Sequence, residues 1–384
     1  MNPRRTVHPR SVRALAACAA LVAAACSDAA TAPRGPVPPK GVVVLNGSAV
    51  TGVTVVDTAG ASSAHIDFDD SFDGGGFVVE RDSVLSTSSA FGGDKLWVAD
   101  LGAGTAKSFQ MPAGSDPSNA NFLHGVGGAA FGVTLRATGA LVLVSLPSSG
   151  TGVLDVIANA ARCPTDVFAY SNNFWVVDAN ADCANFAADG VARLIRFAVD
   201  GSPVDTLALA AGAISTSASA VVSEGFAYVA TGGDADFSGY PAPPTFVRPG
   251  VVTKVDLSAR QVVGSIALPA GTYGATMHLG ADGRLYVAAY HDNTFARQDV
   301  YAIDPASMSF TGPRASGKSY LDLRSSSDAP LSVGATTADA LGRIYSVVVD
   351  YASAGASKVY VFDATGKFLR ALPAGQYAVD VALR

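Results

Sequence analysis

The segment DFDDSFDGGGFVVE, residues 67–80, combines the residue types and the spacing of a calcium-binding loop. Asp69, Ser71, Asp73 and Glu80 match the pattern D-x-S-x-D-G-x5-E, in which side-chain oxygens surround a hard cation. The flanking residues favour strand and loop, whereas an EF-hand needs two helices. Two interpretations stay open: a calcium loop between two strands, or an acidic link that binds no metal. Calcium is the only cofactor that the sequence suggests.

The sequence predicts no catalytic residues. The chain lacks the patterns G-x-S-x-G and H-E-x-x-H and the P-loop, which mark serine hydrolases, zinc proteases and nucleotide-binding sites. His124, in NFLHGVGG, and His291, in YHDN, are the histidines that we expect on a loop-bearing face. The alternative for each of them is an ordinary polar loop residue.

The N-terminal region indicates where the protein goes. Four arginines precede the apolar run ALAACAALVAAA (14–25), which is typical of a secretory signal peptide and too short to span a bilayer. The run ends in VAAAC, which resembles the lipobox of bacterial lipoproteins and implies lipidation of Cys26; the alternative is ordinary cleavage that leaves a free thiol. Residues 26–40 form a proline-rich tether. We therefore predict an exported lipoprotein of the cell envelope, in the outer membrane or facing the periplasm, that contacts the membrane through its lipid alone.

Charge and composition narrow the partners and the fold class. The formal net charge is −6, and removal of residues 1–25, which contain four arginines and no acid, makes it −10. An acidic chain disfavours nucleic acid as a partner. Of the 32 acidic residues only Glu80 and Glu224 are glutamates, and there are 40 glycines. Because Asp and Gly favour turns and Glu favours helices, the composition predicts an all-β fold.

A repeated strand motif predicts the architecture. A bulky or aromatic pair, followed by Val and a small or acidic residue, recurs about every 50 residues, within the range of β-propeller blades. The seven copies are GVVVLN (41–46), KLWVAD (95–100), ALVLVS (140–145), NFWVVD (173–178), FAYVAT (226–231), RLYVAA (284–289) and RIYSVV (343–348). We take each copy as the second strand of a four-stranded blade. Residues 41–384 are thus predicted to form a seven-bladed β-propeller; a six-bladed ring and a β-sandwich are the alternatives.

The C-terminal segment QYAVDVALR predicts how the ring closes. It alternates like a strand but has no partner after it, and pairing with GVVVLN would complete the first blade and remove an exposed edge. The repeats resemble those of YVTN/NHL-type bacterial propellers, the YncE-like proteins, although WVAD, WVVD, YVAT and YVAA stand where that family has YVTN. The resemblance covers residues 41–384 and implies an exported, WD40-like ring of seven blades. It implies no catalytic residues.

Cys163 and Cys183 are predicted to form a disulfide. If the hairpin around NFWVVD turns at Asn172 and Asn173, Cys163 faces position 182, which is one residue from Cys183. An exported protein allows such a bond to persist.

Polar residues at the ends of the second strands are predicted to gather on one face of the ring. The longest loops, DANADCANFAADG and TGGDADFSGYPAPPTFVRPG, belong to the same face, and long loops on a rigid scaffold are the usual seat of binding. The predicted binding face contains Asn46, Asp100, His124, Asp178, Asp182, Asp234, Asp236, His291, Asp292 and Asp350. The alternative for each Asp is a strand end that bonds to the backbone after it.

The leading hypothesis is a monomeric, lipid-anchored propeller that binds an envelope protein or a small ligand through this acidic loop face. The rival hypothesis is a hydrolase that resembles the propeller lactonases and holds a divalent metal on the same face.

Overall fold

The computed structural model describes most of the chain after residue 40. The described ranges are 41–47, 50–60, 62–68, 74–88, 95–111, 120–125, 130–145, 152–183, 187–239, 241–291, 293–295, 298–312, 320–321, 332–350 and 356–384. These ranges contain strands and turns. They contain no helix that is long and apolar enough to cross a membrane.

Seven four-stranded antiparallel sheets form seven blades, each running from an inner strand at the centre to an outer strand at the rim. The inner strands are β4 (Gly74–Glu80), β8 (Ala120–Gly125), β12 (Pro164–Tyr170), β18 (Ala218–Ser223), β24 (Tyr273–Leu279), β28 (Ser332–Ala338) and β32 (Ala378–Leu383). The second strands are β1 (Gly41–Asn46), β5 (Ser83–Ser88), β9 (Ala130–Leu135), β13 (Asn173–Asp178), β19 (Phe226–Thr231), β25 (Leu285–Tyr290) and β29 (Ile344–Asp350).

The third and outer strands, in chain order from blade 1, form the outer half of each blade. The third strands are β2 (Gly52–Asp57), β6 (Lys95–Asp100), β10 (Ala140–Ser145), β16 (Arg193–Ala198), β22 (Val251–Asp256), β26 (Gln298–Asp304) and β30 (Ala356–Phe362). The outer strands are β3 (Ser63–Asp67), β7 (Thr105–Gln110), β11 (Gly152–Ile157), β17 (Pro203–Ala208), β23 (Gln261–Ala267), β27 (Ser309–Phe310) and β31 (Phe368–Gln376). Two small hairpins, β14 (Ala181–Asp182) with β15 (Ala187–Ala188) and β20 (Asp234–Asp236) with β21 (Thr245–Arg248), lie between the second and third strands of blades 4 and 5.

Blade 1 is completed by the C-terminal strand, as predicted. β32 pairs antiparallel with β1, with Val44 opposite Val381, and the Arg384 N–H donates to the Gly41 carbonyl at 3.0 Å. Each inner strand contacts those of the two adjacent blades, and β32 touches both β28 and β4. The ring is therefore closed, and the prediction of a seven-bladed propeller is confirmed.

Seven apolar clusters hold the ring together, one between each pair of adjacent blades. Between blades 1 and 2, for example, the rings of Phe68 and Trp97 stack with centroids 5.1 Å apart. All six residues of β1 are buried, because both sides of a blade pack against its neighbours. A fully buried large apolar side chain contributes about 1.5–3 kcal/mol, so the stability of the ring is distributed over all seven interfaces.

The predicted second strands were wrong in blades 2 and 3. KLWVAD and ALVLVS are β6 and β10, which are third strands. The true second strands, β5 and β9, read SVLSTS and AFGVTL and contain Ser, Thr or Gly in place of the bulky apolar run. The motif therefore indicates a strand that is buried on both sides of the blade. Third strands are buried in this way as well as second strands, so the motif does not identify which of the two a segment forms.

Successive strands alternate in direction, so the ring has two loop-bearing faces. The insertion face, as we call it, carries the links between blades and the loops between second and third strands, including residues 179–192 of blade 4 and 232–250 of blade 5. The turn face carries tight hairpin turns such as Ser171–Asn172 and Glu224–Gly225, whose positive φ angles fit type I′ turns. Both long loops are thus on the same face.

Candidate binding face

The loop of blade 4 is closed by the predicted disulfide. Cys163 precedes β12, Cys183 follows β14, and their Cα atoms are 5.5 Å apart in the bonded pair. The disulfide is confirmed, but the hairpin turns one residue earlier than predicted, at Ser171–Asn172. The pairing register also shifts between Pro164 and Asp166, and the backbone between β13 and Cys183 is left-handed at Asn180, with φ +52°.

Arg136, in blade 3, bridges this loop to blade 5. Its Nε donates a hydrogen bond to Cys183 Sγ at 3.1 Å, and its Nη2 donates one to the carbonyl of Thr216 on the link into blade 5. Burial lowers the pKa of the Arg136 guanidinium, an effect that nearby Tyr273 of blade 6 opposes. An arginine stays protonated at physiological pH despite such a shift. A half-buried positive charge therefore lies on the insertion face, in contact with elements of blades 4 and 5.

Asp178, at the end of β13, is fully buried beneath the blade 4 loop. Its carboxylate accepts hydrogen bonds from the Cys163 N–H at 2.9 Å, the Asn180 N–H at 3.0 Å and Arg193 Nε at 2.8 Å. These bonds hold both ends of the disulfide-closed loop. Asp178 is therefore a positioning residue and not part of an exposed binding surface, which differs from the prediction.

Asn46, at the end of β1, is also fully buried. Its Nδ2 donates to the carbonyls of Ala374 at 2.7 Å and Gln376 at 2.8 Å, and its Oδ1 accepts from Thr54 Oγ1 at 2.6 Å. Because Ala374 and Gln376 belong to the outer strand of blade 7, Asn46 ties the last blade to the first. It too is structural, in contrast to the prediction.

The loop of blade 5 folds into the β20–β21 hairpin. Gly233 permits the entry into it, since its φ is +85° and a Cβ there would lie 2.3 Å from the Arg248 carbonyl oxygen. Asp234 lies opposite Arg248 in the hairpin, and Asp236 is exposed. Hydrogen bonds from the hydroxyl and backbone N–H of Ser238 hold the pKa of the Asp236 carboxyl below its usual value. Both predicted aspartates are thus on the insertion face.

Five aromatic side chains pack together where this hairpin meets blade 6, and we call them the aromatic patch. Its members are Phe237, Phe246, Tyr273, Tyr290 and Phe295. The ring centroids of Tyr290 and Phe295 are 5.1 Å apart, and those of Phe246 and Tyr273 are 5.2 Å apart. Phe295 has a φ of +56°, a left-handed conformation that is unusual for a bulky residue and is often found at functional sites.

His291 adjoins the aromatic patch because it follows Tyr290 in the chain. Its Nδ1 lies 3.3 Å from Oδ2 of Asp299, which is the second residue of β26. Asp299 also hydrogen-bonds Tyr301, whose pKa is raised first by burial and then by this carboxylate. The insertion face therefore contains an imidazole close to a carboxylate, without a hydrogen bond between them, because His291 Nδ1 has no hydrogen-bond partner among the described residues.

Three further predicted residues have the following positions. Asp182 is a half-buried residue of β14, and Asp350 is the last residue of β29, where its backbone pairs with Ala356. Both strand ends lie on the insertion face. Asp292 lies outside the described residues.

Asp100 and His124 lie toward the turn face, which corrects the prediction. Asp100 ends a third strand, β6, and the backbone of His124 is near the end of an inner strand, β8; both kinds of strand end at the turn face. Asp100 Oδ1 accepts from the N–H groups of Gly102 at 2.8 Å and Ala103 at 2.9 Å. The error for Asp100 follows from taking KLWVAD as a second strand, and the error for His124 follows from taking ALVLVS as one, since its inner strand was then read as the link into blade 3.

The same turn recurs around the turn face. An Asp at or just after the end of a third strand accepts a hydrogen bond from a backbone N–H two residues later, the alternative that the sequence left open for each strand-end Asp. The residues are Asp57, Asp100, Asp200, Asp256, Asp304 and Asp363.

Glu80 cannot complete the candidate calcium loop. It ends the seven-residue strand β4, which begins at Gly74, so about 20 Å of extended chain separates the two ends. Asp69, Ser71 and Asp73 lie outside the described residues, as does Cys26. Within the described ranges, no three His, Cys, Asp or Glu side chains are grouped so that they could hold a metal ion.

Sequence reasoning missed Arg136 and the aromatic patch. The signal for the patch in the sequence is the presence of Phe237 and Phe246 in the long blade 5 loop TGGDADFSGYPAPPTFVRPG. Arg136, in the turn between β9 and β10, carries no local signal, because its partners Cys183 and Thr216 are distant in sequence.

Comparisons with known proteins agree with the fold. No family model matches the chain, and no curated protein matches it in sequence. Among solved structures, a proposed 6-phosphogluconolactonase from Bacteroides fragilis is 12% identical with a TM-score of 0.58, covering 90% of this chain and 98% of the other. A similarly named protein from Bacteroides uniformis is 13% identical with a TM-score of 0.55, covering 90% and 99%. The β-propeller domain of Cps50 from Myceliophteria thermophila is 13% identical with a TM-score of 0.53, covering 81% and 90%. The shared feature is the propeller.

Proposed function

We propose that this protein is a lipid-anchored β-propeller of the bacterial cell envelope that binds an envelope protein or a small ligand through its insertion face. The observation that carries the proposal is the difference between the two faces. The insertion face has two long loops that fold into hairpins of their own, one of them closed by a disulfide, whereas the described loops of the turn face are short. Structured long loops on a rigid ring are typical of binding surfaces.

The start of the propeller shows where the proposed tether would attach. β1 runs from the turn face to the insertion face, so Gly41 lies on the turn face. A tether over residues 26–40, extended at about 3.1 Å per residue, would reach roughly 45 Å from there. With Cys26 lipidated, the membrane anchor would be joined to the propeller at its turn face. Membership of the YVTN/NHL-type propellers is part of the same proposal.

Site-directed photo-cross-linking in intact cells tests the binding role. A photoreactive residue placed at Val247, on the insertion face, should produce a discrete adduct with an envelope partner. The matched control is Leu341, an equally apolar exposed residue on the turn face, which should produce none. Adducts from Leu341 alone would reject the insertion face as the binding surface.

Membrane fractionation tests the anchor. Cys26→Ala should release the protein into the soluble envelope fraction. Cys18→Ala, within the predicted signal peptide, is the control and should leave the protein bound to membranes. Retention of the Cys26→Ala variant would contradict lipidation at this residue.

A hydrolase similar to the propeller lactonases is the second candidate function. It is favoured by the closeness of His291 Nδ1 and Asp299 Oδ2, which are 3.3 Å apart, since a small rotation of the ring would let the carboxylate orient the imidazole as a general base. Two of the structural neighbours are named as proposed 6-phosphogluconolactonases. The test is hydrolysis of gluconolactone above the spontaneous rate, with and without added divalent metal, by the wild type and by His291→Gln. A wild-type protein with no turnover and no bound metal would eliminate this candidate.

A further inference from the structure

One ring of the aromatic patch, that of Phe237, is exposed to solvent on the insertion face. Phe237 keeps 41% of its surface exposed, and its ring is parallel to that of Phe295, with an interplanar angle of 3° and centroids 6.4 Å apart. Val247, in the other strand of the same hairpin, is 53% exposed. Exposed apolar groups backed by a packed cluster are typical of ligand-binding surfaces.

The groups around the patch are polar and carry both negative and positive charges. Asp234 and Asp236 are on the hairpin that carries Phe237, and Arg248 lies opposite Asp234. The His291–Asp299 pair adjoins Tyr290. The surroundings thus offer carboxylates that accept hydrogen bonds and a guanidinium that donates them.

These charges disfavour strongly charged ligands. An organic cation on the aromatic rings would lie near Arg248 and near Arg136, which is close enough to Tyr273 to interact with it electrostatically. A polyanion would meet the carboxylates of Asp234 and Asp236. A neutral ligand with an apolar face and many hydroxyl groups avoids both costs. A sugar ring has these properties: its C–H face can stack on the negative face of an aromatic ring, and its hydroxyls both donate and accept.

We infer that the aromatic patch is a saccharide-binding site in which a neutral sugar ring stacks on Phe237 and its hydroxyls bond to Asp234, Asp236 and the His291–Asp299 pair. The inference rests on the proposed function, because it names the ligand class of the insertion face. It requires no catalysis.

Calorimetric titration of the purified full-length protein tests the inference. The probes are neutral oligosaccharides built from glucose, mannose, galactose and N-acetylglucosamine, together with tetramethylammonium and a polyproline peptide. At least one oligosaccharide should bind, Phe237→Ala should weaken that binding about tenfold, and Phe237→Tyr should restore it, since stacking on an exposed ring carries most of the affinity. Leu341→Ala, an exposed apolar side chain on the turn face, should bind like the wild type.

Three outcomes would overturn the inference: no oligosaccharide binds at millimolar concentration, binding is unaffected by Phe237→Ala, or only tetramethylammonium or polyproline binds in a Phe237-dependent way. Cross-linking from Val247 separates this result from the proposed function. An adduct without sugar binding rejects the saccharide site alone, whereas loss of both rejects the binding role of the insertion face as well.

Discussion

Arg136 Nε lies 3.1 Å from Cys183 Sγ, so a cation of blade 3 contacts the disulfide that closes the loop of blade 4. The same side chain reaches the link into blade 5 through the Thr216 carbonyl. One residue thus connects three blades on the insertion face. The position of the long blade 4 loop therefore depends on a covalent bond and a charged side chain from a neighbouring blade.

Removal of the disulfide should destabilise the propeller. The bond joins residues separated by 20 positions, and closing a loop of that size lowers the entropy of the unfolded chain. Cys163→Ser with Cys183→Ser should lower the free energy of unfolding by about 3 kcal/mol, measured by urea denaturation. Reductant should have the same effect on the wild type and none on the double variant. Equal stability of the two proteins would contradict a structural role for the bond.

Asn46→Ala should be severely destabilising although it removes only part of one side chain. The change leaves the carbonyls of Ala374 and Gln376 and the hydroxyl of Thr54 without this partner at the junction of blades 7 and 1. We expect a loss of about 2–3 kcal/mol in the free energy of unfolding. Asp236→Asn, on the exposed hairpin, is the control and should change it by less than about 0.5 kcal/mol. Similar effects of the two changes would argue against the role of Asn46 in ring closure.

His65 should make the stability sensitive to mild acid. Its Nδ1 is 3.0 Å from Thr54 Oγ1, and burial lowers its pKa below the ordinary value of 6.5, against the opposing effect of Asp67 and a backbone hydrogen bond with Thr51. Because the unfolded chain binds the proton more readily, stability is complete above pH 6.5 and declines as the pH falls toward the folded pKa. Urea denaturation of the wild type and His65→Gln between neutral pH and mild acid tests this. The variant should show a smaller decline, and parallel curves would refute the assignment.

The aspartate turns of the turn face should contribute a second, more acidic transition. Hydrogen bonds from the Ser202 hydroxyl, the Ala259 N–H and the Thr365 hydroxyl are the largest causes that lower the pKa values of Asp200, Asp256 and Asp363, respectively. A lowered carboxyl pKa stabilises the fold above the unfolded value of 3.8, and that contribution is lost as the pH falls through the folded values.

Replacement of these three aspartates by asparagine tests the effect. The amide keeps a hydrogen-bond acceptor but cannot titrate, so the triple variant should lose less stability than the wild type on acidification from about pH 5. The two proteins should converge in stability at the lowest pH. A wild type whose acid sensitivity equals that of the variant would show that these turns do not contribute.

The acidic segment before β4 is still predicted to bind calcium through Asp69, Ser71 and Asp73, but without Glu80. If Asp69, Ser71 and Asp73 bind calcium, chelator should lower the melting temperature, and Asp73→Asn should abolish that response. Glu80→Gln should leave the response unchanged, because β4 extends over about 20 Å between Gly74 and Glu80. No change of melting temperature with chelator would remove calcium from the description of this protein.

The closed seven-bladed ring could be predicted from the sequence, because the patterns that indicate its strands are local or strongly apolar. Buried strands such as GVVVLN and NFWVVD, and a terminal strand without a neighbour, predict seven closed blades. In blades 2 and 3 the third strand was predicted as the second strand, because third strands are as deeply buried as second strands. This error placed Asp100 on the wrong face.

The candidate site was only partly predictable. The long loops and the Cys163–Cys183 pair could be recognised from spacing, whereas the burial of Asn46 and Asp178 depends on partners in other strands and loops. The aromatic patch combines side chains from two blades, with Phe237 and Tyr273 belonging to loop and strand elements far apart in the chain. The packing of neighbouring blades brings these side chains together, and no periodic pattern in the sequence indicates it.

The position of β32 also constrains the order of events during biosynthesis. β32 follows every other described strand in the chain, yet it is the inner strand of the blade that begins with β1. Until β32 has been synthesised, β1 lacks its inner partner and presents an unpaired edge of Gly41–Asn46, an apolar segment of the kind that aggregates. The first blade therefore stays incomplete until the last described strand has been made, so avoiding aggregation during synthesis depends on keeping that edge away from other chains.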